Sequence, residues 1–113
     1  MNSKELNSLL LERLPSIREA FDNETSWQEG IETGSIVVFE DVFMPYIIYC
    51  VENNVEDEIN KCFNFIEECV CSKDSYQKNV IEVSIIENIH SYDIADKLSQ
   101  YLRTESMKSY KEN

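Results

Sequence analysis

The stretch INKCFNFIEECV, Ile59 to Val70, decides the fold of this chain. Ile59, Cys62, Phe63, Ile66, Cys69 and Val70 recur at steps of three and four, which places them on one face of an α-helix. Phe65 widens the stripe, and Asn60, Lys61, Asn64 and Glu68 fall opposite. Glu56, Asp57 and Glu58 fill the first turn, where the helix dipole favours anions, and Asn54 is the expected N-cap. A helix with one such face needs neighbours to cover it, so the flanking segments are read as the helices that lean on it.

Upstream, residues 35–51 contain IVVF and YIIYCV, whose β-branched and aromatic residues also suit strands. Phe39, Val42, Phe43, Tyr46, Ile47 and Cys50 nevertheless keep helical spacing. A helix is expected, kinked or restarted near Pro45. In that helix Val37, Met44 and Ile48 would share the far side with Asp41, an apolar strip beside acids. Downstream, Tyr76 to Ile89 has apolar residues around nearly its whole circumference when wound as a helix. Ile81 to Ile85 alternates as a strand would, but no hairpin partner is evident. Helix is favoured there too, after a turn at Ser72 to Ser75.

The outer segments follow the same rules. Ser3 to Arg13 carries Leu6, Leu9, Leu10 and Leu14 on one side, and Pro15 closes it. Pro15 can open a short second helix with Ile17, Ala20 and Phe21, which Asp22-Asn23-Glu24 is expected to break. Ser26-Trp27-Gln28-Glu29 has capping-box form and predicts a short helix ending near Thr33-Gly34. Trp27 is expected to anchor that helix in the core rather than to stand as a surface hot spot. Asp93 is expected to cap a further helix through Ile94, Ala95, Leu98, Tyr101 and Leu102. Residues 104–113 are polar and are expected to fray in part.

A chain of 113 residues predicts one domain over residues 1–113, with enough interior to fold without a disulfide or metal staple. Two glycines and two prolines disfavour loop-rich β architectures. The expected fold is all-α: a compact multi-helix bundle with HEAT-like antiparallel helix pairs.

The net charge of −12 is unevenly placed. Residues 19–68 hold thirteen acids against Lys61 alone, while the two ends of the chain are close to neutral. Such a field repels nucleic acid and anionic lipid surfaces and draws basic partners at high on-rate. The plain alternative is an acidic surface that serves only solubility. The N-terminus lacks the apolar core and small-residue cleavage site of a signal peptide. The longest apolar run, Val42 to Val51, contains Pro45 and is too short to span a bilayer. A cytoplasmic protein with reduced thiols is expected.

No catalytic constellation stands out, and the expectation is that the chain is not an enzyme. Cys62, Cys69, Cys71 and His90 are possible metal ligands, but C-x6-C-x-C is not a zinc spacing, and Cys62 and Cys69 match the core stripe. No metal or cofactor is expected. Thiol catalysis would need a lowered thiol pKa beside a base. The only histidine, His90, sits at a predicted helix end, where the dipole already explains it. The acidic runs Glu40-Asp41, Glu56-Asp57-Glu58 and Glu67-Glu68 are read as solvated. Phosphate-loop and dinucleotide fingerprints need glycines that are missing here.

Three segments carry a resemblance: FEDVFMPYI (Phe39 to Ile47), INKCFNFIEE (Ile59 to Glu68) and NVIEVSIIENI (Asn79 to Ile89). Together they resemble small, acidic, all-helical bacterial immunity proteins that accompany secreted or contact-delivered toxins. The resemblance covers roughly residues 35–102. It implies an all-α bundle with HEAT-like pairs, and it brings no active-site motif. Toxin domains that cleave nucleic acid tend to be basic because their substrate is anionic. The implied role is therefore to bind a cognate toxin, a basic nuclease domain, and block its active or substrate-binding surface. The expected contacts are Glu29, Glu32, Asp41, Glu52, Glu56, Asp57 and Glu68, with Tyr49 or Tyr46 as an aromatic anchor and core packing favoured for Tyr46. The alternative is a non-catalytic helical adaptor or scaffold module. Neither role calls for nucleic acid or membrane as a partner.

Overall fold

A computed structural model describes all 113 residues, and every regular element is helical. The expected central helix is α4, Glu56–Val70. Every residue of its predicted stripe is buried, Phe65 included. Its N-cap is Val55, not Asn54; Asn54 takes a left-handed φ of 55° and turns the chain into the helix. Asparagine is among the few non-glycine residues that tolerate this region.

Before α4 runs one continuous helix, α3, over residues 35–52. It begins as Ser35–Val38, passes through a π-helical turn at Phe39–Phe43, and continues as Met44–Glu52. The expected disturbance near Pro45 is this turn, placed just ahead of the proline, where the Met44 amide reaches back to the Phe39 carbonyl. A π turn inserts one residue and rotates the helix beyond it. Val42, Phe43 and Met44 are therefore buried in succession. The expected apolar strip of Val37, Met44 and Ile48 does not form, because Met44 has turned into the core.

α3 and α4 are an antiparallel pair joined by a tight turn, in which Val55 N–H donates to Cys50 O at 3.0 Å. Phe65 of α4 meets Phe39 and Phe43 of α3 at ring-centroid separations of 6.2 and 5.9 Å. That cluster locks the pair.

The next helix, α5, spans residues 75–89 and repeats the design: Ser75–Ile81, a π turn at Glu82–Ile86, then Glu87–Ile89. Asp74 caps it by accepting from the Gln77 amide at 2.9 Å. Its π turn packs on that of α3 and buries Ser84, Ile85 and Ile86 in succession. Burial classes over 38–47 and 80–89 match at every position except Glu40 and Glu82. The two helices start side by side, since Ser35 and Tyr76 both bond to Ser3. α5 thus opens a second helix pair, whose return leg is broken into two shorter helices, α6 (Ala95–Ser99) and α7 (Thr104–Glu112).

Several expectations fail at the edges of these elements. Helix α6 starts after Ile94, so Asp93 is not its cap, and Tyr101 and Leu102 lie beyond its end. Residues 104–113 do not fray: α7 packs on α4, with Ser106 and Ser109 buried. The first helix, α1 (Ser3–Arg13), has the expected bounds but buries Asn7 and Leu11 beside Leu6 and Leu10, with Leu9 only partly buried, and a 3-10 turn at Pro15–Ile17 leads into α2 (Arg18–Thr25). Asp22-Asn23-Glu24 does not break α2, because Phe21 and Thr25 bury one edge of it and the other edge is solvated.

No helix starts at Ser26. Residues 26–29 are turns, followed by a 3-10 turn at Gly30–Glu32. Trp27 is not in the core; it is 73 % exposed. The core is a single cluster of 28 buried side chains drawn from α1 to α6 and the connections between them. No helix is long and apolar enough to cross a membrane.

Candidate functional site

Of the expected contact residues, the fold gathers four at the α3–α4 turn. Tyr49 and Glu52 come from the last turns of α3, and Glu56 and Asp57 from the first turn of α4. All four are exposed, Tyr49 by 55 %, and Val55 between them is exposed as well. The turn is braced by the Asn53 side chain, whose Nδ2 donates to Tyr49 O at 2.8 Å. Beside it lies a hollow of about 210 Å³ lined by Asn54, Glu56, Ile59, Asn60 and Tyr101. An aromatic ring, an aliphatic side chain and three carboxylates on a rigid turn suit contact with a cationic protein surface.

Tyr46 is not part of this surface. It is half-buried, and its hydroxyl donates to Glu58 Oε1. Burial first and the Glu58 carboxylate second push its phenol pKa up. In return, the Tyr46 hydrogen bond holds the Glu58 carboxyl below the usual carboxylate range, with Lys61 at 3.2 Å assisting. Glu58 is thereby a structural acid.

The other expected contacts lie apart from the turn. Glu29 and Glu32 are exposed on the connection between α2 and α3, and Asp41 is exposed on the π turn of α3. Glu68 sits at the far end of α4, roughly 16 Å along the axis from Asp57. It is no free carboxylate: Arg13 grips both its oxygens, at 2.9 and 3.0 Å.

The ion pairs sharpen the charge asymmetry. Among the acids of residues 19–68, Asp22, Glu58 and Glu68 have cationic partners. Glu67 instead accepts the backbone amides of Glu105 and Ser106, both at 2.9 Å. Glu19, Glu24, Glu29, Glu32, Glu40, Asp41, Glu52, Glu56 and Asp57 have no ion pair, and no lysine or arginine lies between Arg18 and Lys61 in the chain.

A larger cleft, about 440 Å³, opens between the end of α4, α5 and α7. Cys71, Lys78, Glu82, Glu105, Lys108 and Glu112 are among its walls, so both signs of charge line it. The Cys71 thiol lies 3.7 Å from Glu67 Oε2. Slight desolvation and then that carboxylate push its pKa up, which disfavours the thiolate. His90 is engaged elsewhere: its ring stacks on Tyr110 at 4.0 Å, and Nε2 lies 3.0 Å from Tyr110 O. Cys62 and Cys69 are fully buried in the core. Nowhere do three metal-ligating side chains converge.

Two features of these surfaces are not visible in the periodicity of the chain. Val55 falls between a turn and a helix, outside any periodic stripe. For Trp27 residue type points to the core, whereas Asn23, Glu24 and Gly30 occupy most of the positions one helical turn away from it.

No curated protein and no solved structure is significantly similar to this chain. Residues 7–113 match the model of one family, described as Domain of unknown function (DUF7674), and with nearly its whole length matched the chain belongs to that family.

Proposed function

We propose that this protein is an immunity protein, a non-catalytic inhibitor that binds a basic toxin stoichiometrically and covers its active or substrate-binding surface. A nuclease domain is the favoured target, because a site that holds an anionic substrate must itself be cationic. The supporting observation is the exposed α3–α4 turn, where Glu52, Glu56 and Asp57 stand without ion pairs beside Tyr49 and Val55. The resemblance of three segments to small, acidic, helical bacterial proteins that look like immunity proteins points the same way. Inhibition by such a surface needs shape and charge complementarity and no chemistry of its own.

The test is co-purification with the product of the adjacent gene, followed by charge reversal at the turn. The triple variant E52K/E56K/D57K should keep its helical circular dichroism and lose the complex, and wild-type binding should weaken steeply with salt. Failure to bind any neighbouring toxin at low salt would defeat the proposal. A complex indifferent to the reversal and to salt would favour the adaptor reading instead.

A further inference from the structure

Trp27 is the largest apolar side chain of the protein, and it is left in solvent at 73 % exposure while 28 other apolar residues are buried. Its setting is not a loose loop. On one side Thr25 is buried, with its hydroxyl donating to Phe21 O at 2.8 Å. Gln28 N–H closes onto Thr25 O at 3.0 Å, and the Gln28 side chain donates to Glu24 O at 3.1 Å.

On the other side Gly30, at φ +57°, redirects the chain. Asn7, fully buried, then holds the carbonyls of Ile31 and Thr33 at 3.0 and 2.7 Å. The backbone is pinned before and after Trp27, and the indole is presented outward together with the exposed Glu29 and Glu32.

Glu24 stands three residues before it in the chain, and Glu29 and Glu32 two and five residues after it. Glu24, Glu29 and Glu32 have no ion-pair partner, and the nearest cation in sequence, Arg18, is occupied by Asp22 at 3.3 Å. An indole face is the best side-chain acceptor for a cation, and carboxylates beside it complete a guanidinium. Arginine fits better than lysine because its planar fork can stack and hydrogen-bond at once. The acids turn away phosphate-bearing surfaces.

We propose that the Trp27 turn is an arginine-binding contact: a protein partner lays a guanidinium on the indole while Glu29 and Glu32 take its free N–H groups. This rests on the partner being basic, as in the reading above, but it concerns a surface separate from the α3–α4 turn.

The chain has one tryptophan, so its emission reports this position alone. The test titrates the whole protein with a hexa-arginine peptide and a hexa-lysine peptide, reading Trp27 emission and, with labelled peptides, anisotropy. Arginine peptide should change the emission saturably and bind about two- to fivefold tighter than lysine peptide. W27A should erase that preference, E29Q/E32Q should weaken both peptides, and E52K/E56K/D57K should leave the preference in place. Unchanged emission at millimolar arginine peptide, or an arginine preference that survives W27A, overturns the proposal. A toxin complex broken by the E52K/E56K/D57K reversal but untouched by W27A would sink this inference and leave the immunity reading standing. An intact arginine preference in a protein with no toxin partner would do the reverse.

Discussion

The carboxylate of Glu67, in the last turn of α4, accepts the backbone amide of Ser106 at 2.9 Å and so caps the first turn of α7 from another helix. Its second oxygen takes the amide of Glu105 at the same distance. Helix N-termini leave such amides without partners, and a charged acceptor satisfies them best. With Met107 and Tyr110 packed on the core and Ser109 bonded to Glu82, this cap docks the polar C-terminal segment.

Glu67→Gln should therefore destabilise the fold by about 1–2 kcal/mol in urea titration, with faster amide exchange at Glu105 and Ser106. Burial alone would raise the Glu67 pKa, but the two amides, the Ser106 hydroxyl and the Cys71 thiol together outweigh it and hold the native value below the ordinary one. The stabilisation is thus full above the ordinary glutamate range. It fades as pH falls through that range toward the lowered native pKa and is gone below it. The gap between wild type and E67Q should close in the same window, and a gap constant with pH would contradict the assignment.

Asn7 should be among the most sensitive polar positions. It is fully buried, donates to two carbonyls and accepts from Ser35 Oγ at 2.9 Å. Asn7→Ala leaves those carbonyls dry and unpaired, at a cost of about 2–3 kcal/mol measured by urea unfolding. A change within experimental error would mean that water replaces the amide.

The four cysteines should differ sharply in reactivity. Cys50, Cys62 and Cys69 are buried and Cys71 is exposed. Burial pushes the Cys69 thiol up to about 12 and the Cys62 thiol higher still. With a thiol reagent at mildly alkaline pH the native protein should release one equivalent, slowly because Glu67 also raises the Cys71 pKa, and four after denaturation. Cys71→Ser should abolish the native signal.

Two aromatic truncations should separate core from surface. Phe65→Ala empties the cluster with Phe39 and Phe43 and should cost about 3–5 kcal/mol. Trp27→Ala should change stability by no more than about 0.5 kcal/mol, since the indole is mostly in water. Comparable melting losses in the two variants would show that Trp27 packs after all.

Local sequence was enough for the all-helical fold and for the inward face of α4, because steps of three and four residues put Ile59, Cys62, Phe63, Ile66, Cys69 and Val70 on one side whatever covers them. It was also enough for the helix over residues 35–52 and for the crowding of acids into the middle of the chain. The tertiary structure alone decided which acids remain free and where they meet. Arg13 takes Glu68 from across 55 residues, Tyr46 takes Glu58, and the α3–α4 turn brings Glu52 to Glu56 and Asp57. It alone turned Met44 inward, because a π turn shifts register in a way no fixed period can express. It alone left Trp27 outside, because an aromatic residue is buried only where distant chain arrives to cover it, and around that turn none does.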